Sequence, residues 1–116
     1  MHELSIGMEL VRVGSERAAG RKVRRVVVEI GRLTCVMPDA LSFCFDLCAQ
    51  GTELEGAALE IVRVPGRAKC TACGATVELE TPVGKCACGS GALEWIAGEE
   101  LRLREMEVED VRDLRV

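Results

Sequence analysis

The chain has 116 residues, 48% of them hydrophobic, enough for one modest core and a small satellite module. Its formal net charge is −4 and its only aromatics are two Phe and one Trp, whereas a nucleic-acid binder would carry a basic face and stacking rings. No apolar run approaches the roughly 20 residues needed to span a bilayer, so no membrane segment is expected.

Residues 3–19 are predicted as an amphipathic helix, with Leu4, Met8, Val11 and Ser15 on one face and Ile6, Leu10 and Val13 widening it. Gly20 is placed to end it in the left-handed conformation. In Lys22–Arg32, Val26, Val28 and Ile30 alternate against Val27 and Glu29, the pattern of a strand. Leu33–Met37 reads as a connection. Pro38 then opens a second helix at its first turn, where a missing N–H costs nothing, and Asp39 complements the dipole. Leu41, Cys44, Phe45 and Cys48 share a face of that helix, and Gly51 stops it.

Ala58–Val64 is a second strand, broken by Pro65-Gly66. A cysteine-rich segment follows, with Val77–Glu80 as a short strand and Pro82–Gly84 as a turn. Glu100–Val108 is the third main strand. Its alternation changes phase, Leu101 and Leu103 on one parity and Met106 and Val108 on the other, which a bulge near Arg104–Glu105 would reconcile. The charged tail from Glu109 is expected to fray. The expected architecture is α+β: two helices packed on a three-stranded mixed sheet, with an inserted small zinc-ribbon-like module. Residues 1–66 plus 95–116 would form the α+β domain and 67–94 the module, which is too small to fold by burial alone.

Within that module the pattern Cys70-x2-Cys73-x12-Cys86-x-Cys88 spans nineteen residues. Each pair can present two thiolates from one tight loop, and two facing loops make the closed tetrahedral four-sulfur site that zinc prefers. Gly74 and Gly89 follow the second cysteine of each pair, where positive φ lets the backbone curl round an ion and aim N–H groups at sulfur. The alternatives are a disulfide framework or a thioredoxin-like redox pair. Met1–Leu10 holds His2, Glu3 and Glu9 where a secretory signal would be apolar, so a reducing cytosol is expected. A redox pair should also open a helix in a βαβ unit, whereas a strand-like segment follows Cys73. Cys44 and Cys48 read as small core residues, and Cys35 has no reading of its own.

His2 is the only histidine. The Met1 amine, the His2 amide nitrogen and the His2 imidazole Nδ1 can chelate one ion through a five- and a six-membered ring. Such a nitrogen-rich square-planar field suits Ni(II) or Cu(II) and offers zinc nothing special. The alternative is a loose terminal residue with no ligand role.

Met1-His2-Glu3-Leu4-Ser5, Pro38-Asp39-Ala40-Leu41, the late cysteine cluster and Gly98-Glu99-Glu100-Leu101 together resemble the HypA/HybF family, the nickel metallochaperones of nickel–iron hydrogenase maturation. The resemblance runs over essentially the whole chain in the same order. It implies a cytoplasmic carrier that is not an enzyme, with Ni(II) as transient cargo on His2, the Met1 amine and Glu3 adjoining. It places structural Zn(II) on Cys70, Cys73, Cys86 and Cys88. The family usually has Cys-x2-Cys in its second pair, from which Cys86-Ala87-Cys88 departs. No second histidine exists to complete the nickel site, which leaves Glu3, a backbone atom or water. The implied partners are the hydrogenase-maturation GTPase and the hydrogenase large-subunit precursor, with urease as a further client; nucleic acid is not among them, and a homodimer is allowed. The rival reading is a zinc-ribbon module that binds a protein or nucleic acid and has no nickel role.

Overall fold

The computed structural model of the protein describes residues 3–109. In chain order it forms α1 (Glu3–Ala18), β1 (Val23–Gly31), a 3-10 turn (Arg32–Thr34), α2 (Pro38–Ala49), β2 (Ala58–Val64), β3 (Gly66–Cys70), β4 (Thr76–Leu79), β5 (Leu93–Ala97) and β6 (Leu101–Val108). The strands make two three-stranded sheets, ordered β2-β1-β6 and β4-β3-β5. Two compact units result. One takes the chain up to Val28, Val36–Val62 and Arg102 onward; the other takes Glu29–Cys35 and Arg63–Leu101. The architecture is the expected α+β one, two helices packed on a mixed three-stranded sheet with a cysteine module placed before the last strand. β6 runs antiparallel to β1. The Gly31 N–H donates to the Glu100 carbonyl at one end, and the Glu109 N–H donates to the Lys22 carbonyl at the other.

In the first unit, α1 buries the Ile6, Leu10 and Val11 part of the apolar face read from its sequence and leaves the Leu4 and Met8 part exposed. Ile6, Gly7, Leu10, Val11, Gly14 and Ala18 are buried, while Leu4 and Met8 are 51% and 60% exposed. The cause is close approach. A Cβ on Gly7 would stand 3.2 Å from the backbone carbon of Cys44, and one on Gly14 would stand 2.7 Å from Leu54 Cδ2. Gly7 lets α1 meet the backbone of α2, and Gly14 leaves room for the Leu54 side chain, while Leu4 and Met8 point to solvent. On α2, Leu41, Phe45 and Ala49 form the buried face. Cys44 and Cys48 sit half-buried at its margin, not in the core as expected. Partial burial pushes the Cys48 thiol up, with help from neighbouring Cys44.

β1 is the middle strand. Val26, Val27 and Val28 are all buried, so both of its faces are covered there and simple alternation fails. In β6 the change of phase is retained: Leu103 is buried, Arg104 and Glu105 are both exposed, and Met106 and Val108 are half-buried.

The second unit contains two strands that hydropathy does not announce. Pro65 ends β2, but the chain resumes as β3 at Gly66. β3 pairs antiparallel with β4, Gly66 opposite Leu79 and Ala68 opposite Val77. On its other side it pairs with β5, Ala68 opposite Trp95 and Cys70 opposite Leu93, with the register shifting between Arg67 and Ala68. The inward residues of β3 are Gly66, Ala68 and Cys70, too small to show as a hydrophobic stripe. The core of this unit is Leu33, Ala68 and Leu79, flanked by Val77 and Leu93. Leu33 arrives from the 3-10 turn, outside the cysteine segment, and its N–H donates to the Gly98 carbonyl at 2.8 Å. At Gly31 a methyl group would be driven into that same Gly98 carbonyl, and a Cβ on Gly66 or Gly98 would come within 2.8 Å of Leu33 side-chain carbons.

Candidate metal centre

Cys70 is the last residue of β3, Cys73 lies in the turn before β4, and Cys86 and Cys88 lie in the loop before β5. The fold brings their four sulfurs together, all within 4.8 Å of one another. Cys70 Sγ is 3.7 Å from Cys88 Sγ, and Cys73 Sγ is 3.5 Å from Cys86 Sγ. Zinc–sulfur bonds of about 2.3 Å in a tetrahedron require sulfurs about 3.8 Å apart, so the cradle has the right size for such an ion. A disulfide would need about 2.05 Å, and all four thiols are free. The donor set is purely sulfur and fills four positions, which leaves none open for a substrate. That is the chemistry of an architectural ion, not a catalytic one.

The two loops solve the same problem at different lengths. In the first, the Cys70 N–H donates to Ala75 and the Cys70 carbonyl accepts from Gly74, both at 2.8 Å. In the second, the Cys86 N–H donates to Ser90 and the Cys86 carbonyl accepts from Gly89, both at 2.9 Å. Each bond of the second loop spans one residue fewer. The deletion between Cys86 and Cys88 is thus absorbed inside the loop, while its closing strut and its glycine are kept. Gly74 and Gly89 have φ of +80° and +92°, as the spacing predicted. The first cysteine of each pair is buried and the second exposed, so each loop offers one inner and one outer sulfur.

Backbone N–H groups do point at sulfur, but they are those of other residues than the glycines. The N–H groups of Cys73 and then Ala72 favour the Cys70 thiolate, and its pKa is lowered to about 6. For Cys73 the N–H of Ala75 also favours the thiolate. The crowding sulfurs of Cys86, Cys70 and Cys88 outweigh it, and Cys73 is raised to about 11. Four sulfurs this close cannot all ionise without a cation among them.

Cys35, Cys44 and Cys48 take no part in the cluster. Met1 and His2 lie outside the described residues. Glu3 begins α1, and its Oε2 accepts the Met37 N–H at 3.1 Å. Sequence reasoning missed Leu33, whose packing supports the cradle; no cysteine or glycine pattern points to it.

Comparison with known proteins bears on the rest of the chain. Residues 1–108 match the family model described as hydrogenase/urease nickel incorporation, metallochaperone, hypA. The hydrogenase maturation factor HypA of Trichormus variabilis is 58% identical over 111 residues, covering 96% of this chain and 98% of that one. The factor of the same name from Geobacter metallireducens is 47% identical over 110 residues, covering 94% and 100%. The solution structure of the Ni metallochaperone HypA from Helicobacter pylori superposes with a TM-score of 0.68 at 26% identity, covering 93% of this chain and 97% of that one. With a family-model match over residues 1–108, relatives matched over nearly their whole length and a shared fold, this chain belongs to the HypA family of nickel-incorporation metallochaperones.

Proposed function

We propose that this protein carries Ni(II) on its first residues and releases it during maturation of a nickel–iron hydrogenase, with urease as a further client, while Zn(II) on Cys70, Cys73, Cys86 and Cys88 holds the second unit together. It acts as a carrier in the cytoplasm and catalyses no reaction. The observation that carries the reading is the pairing of a closed four-sulfur cradle with a family that handles nickel. A saturated thiolate site suits a resident ion and is poorly suited to an exchangeable one, so the cargo belongs elsewhere.

The chain offers that second place at its beginning. The Met1 amine, the His2 amide nitrogen and His2 Nδ1 can form fused chelate rings around Ni(II), whose d-electrons reward a square-planar nitrogen field. A site at the end of a polypeptide is open on one side, which suits uptake and transfer. Residues 1–66 plus 95–116 then serve the nickel and residues 67–94 the zinc. The recipients are the maturation GTPase and the hydrogenase large-subunit precursor. Metal analysis of untagged protein beside His2→Ala tests the proposal. Zinc content should match in the two, and nickel uptake should be lost in the variant. Undiminished nickel binding by His2→Ala in titration calorimetry would falsify the assignment.

A further inference from the structure

Glu3 stands beside the proposed nickel residues, and its carboxylate is already engaged. We propose that it acts as a clasp that positions the start of the chain, and not as a nickel donor; this rests on the nickel reading above. The Met37 N–H reaches Glu3 Oε2 across 34 positions of sequence, at 3.1 Å. Met37 is the N-cap of α2, with φ −84° and ψ 113°, and its own side chain caps nothing. Its carbonyl accepts the Leu41 N–H at 2.9 Å, so one residue ties α2 internally through its C=O and α1 externally through its N–H. Pro38, which follows, has no N–H to offer.

Two helix starts therefore converge on one carboxylate. Glu3 lies in the first turn of α1 and bonds to the residue that caps α2. Each helix end presents partial positive charge from its unsatisfied N–H groups, so an anion there is stabilised twice. One turn further along α1, Gly7 meets the backbone of Cys44 and Phe45, where an added Cβ would stand at 3.2 and 3.3 Å. Glu3 and Gly7 are i and i+4, on one face of the helix. α1 is thus held to α2 at two successive points, and the first of them, Glu3, immediately follows His2. With Oε2 already accepting the Met37 N–H beside two helix starts, the role the geometry gives this carboxylate is to hold the beginning of α1. What it does is fix where the chelating nitrogens begin, which lowers the ordering cost of capturing the ion.

The discriminating variant is Met37→Pro, which removes the N–H, leaves Glu3 intact and suits the observed backbone angles. Nickel affinity should be measured by chelator competition on untagged wild type, Met37→Pro, Glu3→Ala, Glu3→Gln and His2→Ala. The clasp predicts that Met37→Pro and Glu3→Ala each weaken nickel about fivefold, the net worth of one exposed hydrogen bond. The double variant should be no worse than either single one, and Glu3→Gln, whose amide oxygen can still accept, should stay within about twofold of wild type. Wild-type affinity in Met37→Pro together with loss in both Glu3 variants overturns the clasp and makes the carboxylate a ligand. If Met37→Pro does not fold, the two Glu3 variants decide: retention in Gln with loss in Ala supports the clasp, and loss in both rejects it. Exchange of the Met37 amide in metal-free protein gives a readout without nickel. It should be slow in wild type and Glu3→Gln and fast in Glu3→Ala; equal exchange in all three overturns the clasp. Nickel retained by His2→Ala would sink the site reading instead, leaving the exchange data to judge the clasp.

Discussion

Replacing Leu33 with alanine should loosen the metal at Cys70, Cys73, Cys86 and Cys88, although Leu33 is 37 positions before the first of them. Leu33 is 5% exposed and is one of three buried residues in the second unit's core, beside Ala68 and Leu79. Leucine-to-alanine changes at buried sites cost about 3 kcal/mol at the lower end of the range, where neighbours can partly collapse. A unit with so little core does not fold on burial alone, so metal binding and folding are one equilibrium and the lost packing appears in both. At 1.4 kcal/mol per tenfold, about 3 kcal/mol becomes roughly a hundredfold loss of zinc affinity. Competition against a chromophoric chelator measures it directly, with thermal unfolding of the zinc-loaded protein as the companion assay. Zinc affinity within threefold of wild type in a folded Leu33→Ala protein would refute the coupling between this core and the cradle.

Other expected outcomes can be checked in parallel. Gly31→Ala forces a methyl into the Gly98 carbonyl. It should destabilise the protein by about 1–3 kcal/mol in denaturant titration, whereas Gly91→Ala, with open space around its Cβ position and no positive φ, should cost less. Acidification should release the zinc. Cys70 is lowered to about 6 in the folded cradle, below the ordinary thiol value of about 8.5. Its contribution is therefore present above the unfolded value and lost as pH falls through about 6. Zinc affinity at stepped pH should fall more steeply below about 6, where the Cys70 thiol takes up its proton and competes with the metal, and an affinity that does not change down to pH 4 would contradict it. Extending the chain before Met1 with a tag removes the free amine and should weaken nickel binding while leaving zinc untouched, as metal analysis of tagged and cleaved protein would show.

Much of the metal chemistry was legible in the residue order. Four cysteines at this spacing, two of them followed by glycine, imply facing chelate loops whatever surrounds them, because loop closure over so few residues is a local matter. The strand at Ala58–Val64 and the helix opening at Pro38 are local in the same sense: β-branched alternation and a first-turn proline act through near neighbours. The missing residue between Cys86 and Cys88 was visible too, but not its consequence, since the Cys86 to Ser90 strut that absorbs it is a hydrogen bond of the folded loop.

What only the tertiary structure decided is which surfaces meet. Hydropathy named Ile6, Leu10 and Val11 on the inward face of α1 but not that Leu4 and Met8 would be left out, because the face is also set by Gly7 and Gly14, and a glycine contributes nothing to a hydrophobic stripe. β3 stayed hidden for a related reason: Gly66, Ala68 and Cys70 face inward and are small. Leu33 joined the metal unit, and Glu3 met Met37, through contacts between segments distant in the chain. Local chemistry thus named the four cysteines that meet in the cradle. The long-range packing that supports them depends on shape and proximity, which no residue carries by itself.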